Sequence, residues 1–137
     1  MSNEEIIDRI HAGYDAFNRG DFDTAIAFVH PDVEYIPVGG QPPIRGAEGF
    51  RAWMEPSAFE RQVVEAREIT VNGDRALVRI HAAVRGAGSG IEMEVESWVV
   101  LTHDPAGPGL VIRMEVFFLY EEEEARAAAG LGTREPG

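Results

Sequence analysis

The hydrophobic period of the chain changes near residue 60, from helical spacing before it to strict alternation after it. Ser2 with Glu5 three positions on makes a capping box, and Ile6, Ile10, Tyr14 and Phe17 then mark one face of a first helix that runs to Gly20. The segment GDFDTAIAFVHP predicts a second, short helix with Phe22, Ile26 and Val29 on one side. It stops at Pro31, with His30 as a helix-end residue whose charged form would suit the dipole. Val33 and Tyr35 alternate with Glu34 and Ile36 in a short strand, and PVGGQPP then demands turn or loop. RGAEGFRAWMEP gives a third helix carrying Phe50, Trp53 and Met54, closed by Pro56.

Beyond residue 62, Val63 to Val71 and Ala76 to Arg85 read as strands joined by a hairpin at Asn72-Gly73, two residues that tolerate positive φ. GAGSG turns the chain into a third long strand over 91–102, and after HDPAGPG comes a last strand from Leu110 to Leu119. EEEEARAAAG is a terminal helix with glutamates where the dipole favours negative charge and Gly130 placed to end it. Helices first and long antiparallel strands afterwards indicate an α+β domain, a curved sheet with helices laid against one face. Residues 1–131 are expected to form that single domain and residues 132–137 a loose tail.

The sides of the strands can be sorted by alternation. Val78, Ile80 and Val84 are apolar against Arg79, His81 and Arg85; Met93, Val95 and Val99 stand against Glu92, Glu94 and Glu96; Met114, Val116 and Phe118 stand against Arg113 and Glu115. If the apolar sides share one face, Arg85 falls opposite Glu92 and His81 opposite Glu96, so that opposite charges meet. A slip of one residue would instead place carboxylates in an apolar layer at several kcal/mol per ion. The glutamates are therefore expected on the side away from the helices, facing water or a second subunit.

Composition then narrows the chemistry. The 12 basic and 24 acidic residues leave a formal charge of −12, which repels phosphate backbones and anionic lipid, so neither nucleic acid nor membrane is an expected partner. Cysteine is absent, and all the basic residues are arginine, which removes thiol, thiolate-zinc and Schiff-base chemistry together. The amino terminus is acidic and amphipathic, and no apolar run reaches the ~18 residues of a membrane span, so a cytoplasmic location is the expectation. His11, His30, His81 and His103 lack metal-ligand spacing, and no metal or other cofactor is expected. GAGSG is neither a phosphate loop nor a nucleophile elbow, because a strand follows where both require a helix. His81 with Glu96 could form an oriented acid/base pair, although a cross-strand ion pair explains the same spacing.

The order of elements, with AFNRGDFDTAIAFVHPDVEY, IRGAEGFRAWM, RGAGSGIEMEVE, VIRMEVFF and EEARAAAGL, resembles the SnoaL-like branch of the nuclear transport factor 2-like superfamily over about residues 5 to 131. The resemblance implies a cone-shaped, curved antiparallel sheet with three helices from the N-terminal half packed on its concave face, a short C-terminal helix, a cavity between them, and homodimers that pair through the sheet. Carrying over the catalytic residues of known members gives mostly negatives. The ketosteroid isomerase positions fall at Ile36, Gly13 and Val99, those of limonene-epoxide hydrolase at Ile80, Ala82 and Val116, and that of the polyketide cyclases at Val116 or Phe118. The expectation is a small hydrophobic ligand in a mainly apolar cavity. Tyr14, Phe17, Tyr35, Phe50, Trp53 and Met54 would line it from the helices and first strand, with Val78, Ile80, Met114, Val116 and Phe118 from the sheet. Isomerisation, cyclisation or hydration is the chemistry such a site would support, with Tyr14, Tyr35, His81 and Glu96 as its candidate acid/base groups. The alternative is a binding or dimerisation module of the same fold without catalysis.

Overall fold

The computed structural model describes residues 2–54, 59–86, 88–106 and 109–132, and of residues 59–61 the backbone alone. The elements run α1 (Asn3–Asn18), α2 (Phe22–Ile26), β1 (Val29–Ile36), β2 (Ile44–Arg45), α3 (Ala47–Met54), β3 (Phe59–Asn72), β4 (Arg75–Gly86), β5 (Glu92–His103), β6 (Val111–Phe118) and α4 (Glu122–Ala128). A single six-stranded sheet has the order β2-β1-β6-β5-β4-β3. It is antiparallel except between β1 and β6, which pair in parallel, so the sheet is mixed.

Several local expectations are revised. The Ser2 hydroxyl accepts from the Glu5 amide, as the capping box requires, but α2 ends at Ile26, and Val29, His30 and Pro31 already belong to β1. Pro31 is tolerated there because the β1–β6 register shifts between Val29 and Glu34, so the ladder does not call on its missing N–H. His30 is consequently not a helix cap: its Nδ1 accepts from the Asp32 amide, and its Nε2 lies 3.7 Å from the Asp104 carboxylate. In the β3–β4 hairpin Asn72 pairs with Arg75, so the central residues are Gly73 and Asp74, and only Gly73 takes positive φ. Asn72 is thereby released to donate from its side chain to the Ala129 carbonyl, while Arg75 donates to Ala128; together they satisfy the open end of α4. Pro56 and residues 133–137, expected to close α3 and to form the tail, lie outside the described residues.

The strand register is the one that charge matching demands. Arg85 stands opposite Glu92, His81 opposite Glu96 and Val78 opposite Val99. A bulge at Arg67 on β3, between Ala66 and Glu68, and one at Ile112 on β6, opposite Thr102 and His103, bend the sheet and reset the alternation of those two strands. After the second bulge Val111, not Ile112, pairs with His103. The inner face, with Val33, Tyr35, Ala76, Val78, Ile80, Val99 and Leu101, packs with Ile6 and Ile10 of α1 and Phe50 and Met54 of α3 into the main core. Asn18, at the end of α1, locks that helix to β3 by bonding both the N–H and the C=O of Val64 at 2.8 Å.

The outer face is divided. One part carries a second core, Leu77, Trp98 and Val100 beneath Ala125 and Ala129, where α4 docks and the Trp98 indole donates to the Leu119 carbonyl at 3.2 Å. The other part holds the acids. Glu96 accepts from Arg79 at 2.8 Å and lies 3.4 Å from Arg67, and Glu94 lies 3.3 Å from His81. The Arg79 guanidinium holds the Glu96 carboxyl below the usual carboxylate range.

Candidate functional site

A cavity of about 290 Å³ lies between the three N-terminal helices and the inner face of the sheet. Its wall is aliphatic and aromatic, because alternation turns Ile80, Val99, Met114 and Val116 inward while helical spacing presents Ile10, Tyr14 and Phe17 of α1 to the same space. Met93 and Val95 of β5 share the inner side with Ser97 and Val99 but are half-exposed, at 51% and 50%, and do not line the cavity. The polar side chains of the wall are few: Arg9, Tyr14, Tyr35, Gln62, Ser97 and His103.

Tyr35 projects from β1 into an aromatic clamp supplied by α3, with its ring 5.5 Å from Phe50 and 4.4 Å from Trp53. Burial pushes the hydroxyls of both Tyr14 and Tyr35 well above the ordinary tyrosine range, and Tyr35 adds to the effect on Tyr14. Both phenols are therefore neutral donors at physiological pH, and among the described residues no protein group hydrogen-bonds either hydroxyl. Spectrophotometric titration is expected to show these two tyrosines resisting ionisation past pH ~10, the ordinary tyrosine value. Two phenolates appearing at that pH would contradict this environment.

His103 stands at the other end of the wall, 4% exposed. Its backbone N–H and its Nδ1 both meet the Asp74 carbonyl, at 2.7 and 3.2 Å. Burial lowers its pKa from the ordinary histidine range, the Asp74 bond opposes that, and the Arg9 guanidinium pushes further down. A histidine depressed in the folded state contributes full stability above the unfolded value of ~6.5 and loses it as pH falls towards the folded value. Urea midpoints are expected to decline below about pH 6.5 with a component that His103→Gln removes; an identical profile in the variant would refute it.

Of the residues expected at the ligand, Tyr14, Phe17, Tyr35, Phe50, Trp53, Met54, Ile80, Met114 and Val116 line the cavity. Val78 does not, being fully buried between neighbouring strands, and Phe118 does not, its exposed ring stacking on that of Tyr120. His81 and Glu96 are displaced from the site altogether. They lie on the outer face and do not even form their own pair, since arginines occupy Glu96. The positions compared with known enzymes, Gly13, Ile80, Ala82, Val99 and Val116, do face the cavity and are apolar or bare. Arg9, Gln62, Ser97 and His103 were not singled out by the sequence. Continuing the β5 alternation from Leu101 would have found His103, and Ser97 is the polar break in that strand's apolar side. Among the described residues no cluster of histidine and carboxylate side chains could hold a metal ion, and no helix is long and apolar enough to cross a membrane.

A curved sheet with three helices against it and an apolar chamber between them is the nuclear transport factor 2-like fold. Residues 10–122 match the model of the SnoaL-like domain, and the chain belongs to that family. Among solved structures it is similar to TerC co-crystallized with polyporic acid, at 25% identity over 85% of this chain and 92% of that one, TM-score 0.68. It is similar in fold to the epoxide hydrolase/cyclase-like enzyme SalBIII of pyran ring formation in salinomycin, at 18% identity over 85% and 93%, TM-score 0.74. It is also similar in fold to an LEH-like epoxide hydrolase from M. tuberculosis, at 20% identity over 92% of each chain, TM-score 0.71. No curated protein matches the sequence.

Proposed function

We propose that the protein binds a small, mainly hydrophobic organic molecule in this cavity and catalyses its isomerisation, its cyclisation or the addition of water to it, with proton transfer. The observation that carries the reading is the pair of neutral, unengaged phenols, Tyr14 and Tyr35, in an otherwise apolar chamber of about 290 Å³. Hydroxyl donors placed where water is scarce stabilise a carbonyl or a developing enolate far better than they would in bulk solvent. The structural relatives include a cyclase-like enzyme and an epoxide hydrolase, which supports catalysis on a cyclic or cyclising substrate over passive binding.

A thermal-shift screen of lipophilic metabolites tests the binding. A ligand at 100 times its dissociation constant stabilises by about 2.7 kcal/mol. Hits are expected with the native chain and should vanish with Val116→Trp, which fills the chamber. Silence across a broad library would refute the reading, whereas hits that are never turned over would favour the non-catalytic binding module.

We further propose a homodimer formed through the part of the outer face that α4 leaves open. Arginine and glutamate rows on adjacent strands are self-complementary under a two-fold rotation, which supports it. Sedimentation velocity should give twice the chain mass, and a monomer at micromolar concentration would refute the dimer.

A further inference from the structure

His103 has a feature that plain packing does not explain. A carbonyl oxygen only accepts, so the Nδ1 that meets Asp74 must carry the hydrogen, and in the neutral ring Nε2 is then an acceptor with no hydrogen of its own. No described protein donor reaches Nε2, yet no side-chain nitrogen of the described residues is both sealed from space and unsatisfied. The ring also lines the cavity wall. Nε2 is thus the ring nitrogen that this cavity-lining residue leaves without a described partner. The groups facing it are Asp74 from the hairpin, whose carbonyl fixes the ring, and Arg9 from α1, whose guanidinium also lies 5.7 Å from the centre of the Phe28 ring and opposes a second charge on the imidazole.

We propose that His103 is the acceptor subsite of the cavity, and that the ligand is an apolar ring compound presenting a phenolic or enolic hydroxyl to Nε2. This rests on the reading that the cavity holds a small hydrophobic molecule, and it narrows that molecule's class. The phenols of Tyr14 and Tyr35 can donate or accept, so they place no condition on the polarity of the ligand's oxygen. His103 does, because a ligand offering it only an ether or carbonyl oxygen would leave two acceptors opposed and Nε2 unsatisfied.

The test uses 2-naphthol and 2-methoxynaphthalene, which share ring and oxygen but differ in the O–H. Titrated into the native chain, the naphthol is expected to bind about fivefold more tightly, the worth of one neutral hydrogen bond. In His103→Leu that ratio should fall to about one. Histidine ¹⁵N spectra of the unliganded protein supply a readout independent of the variant's folding, and should show the Nδ1–H tautomer for this residue. Equal affinities in the native chain, a preference that survives His103→Leu, or an Nε2–H tautomer would each overturn the subsite. If neither naphthalene binds the native chain, the cavity-binding reading itself falls and the subsite with it.

Discussion

Val78→Glu is expected to cost several kcal/mol and to abolish a cooperative unfolding transition under ordinary conditions. Val78 is fully buried on the inner side of β4, flanked by Ile69 on β3 and Val99 on β5. A carboxylate there must lose its hydration with no cation to meet it, or take up a proton at the expense of a raised pKa. Set against a total stability of about 5–15 kcal/mol, that is a large fraction. Glu94→Val, two strand-faces away in chemistry but on the neighbouring strand, should change stability by only ~0.5 kcal/mol, because the Glu94 side chain is 75% exposed on the outer face. Urea denaturation of both variants checks the contrast. A near-native Val78→Glu would mean that the inner face has been assigned to the wrong side of the sheet.

Trp98→Ala is expected to be nearly as damaging, by about 3–5 kcal/mol, for a different reason. Trp98 is 1% exposed on the outer face, packed with Leu77 and Val100 beneath Ala125 and Ala129, and its indole N–H is satisfied by Leu119. Truncation empties the centre of the second core and strands a carbonyl, so α4 should lose its seat while the cavity on the other side of the sheet keeps its wall. Hydrogen exchange should show protection lost in α4 first. Protection retained there, with a urea midpoint unchanged, would contradict the packing described.

The sequence made the fold legible because its signals are redundant. Helical and alternating periods, a capping box, the glycine after α4 and the matching of Arg85 with Glu92 all point to one arrangement. What it hid has local causes. The bulges at Arg67 on β3 and Ile112 on β6 shift alternation by one, which is why Val111 rather than Ile112 lines the cavity. The parallel pairing of β1 with β6 is a long-range choice that no local pattern records. His30 and Pro31 looked like a helix end because a proline stop is the commoner context for that pair, yet a register shift admits them to a strand. Spacing made the apolar side of each element readable and the resemblance implied that these sides border a cavity, whereas Val78 shows the limit: facing inward is not the same as facing the chamber, since cavity boundaries depend on how far the helices stand off the sheet. His81 and Glu96 drew notice as titratable neighbours, and the outer face absorbed both into ion pairs. His103 was weighed only as a metal ligand and not as a wall residue, because the expected strand stopped one residue short of it.

Inward aliphatic edges of β4, β5 and β6 enclose a chamber with the helices, and the proposed function requires that it admit a small apolar molecule. Fluorescence titration with prodan, a neutral naphthalene ketone, tests it most directly. The expected result is a single saturable, blue-shifted site per chain in the native protein that is lost in Val116→Trp. Emission that stays water-like, or a saturable site undiminished in that variant, would contradict the account.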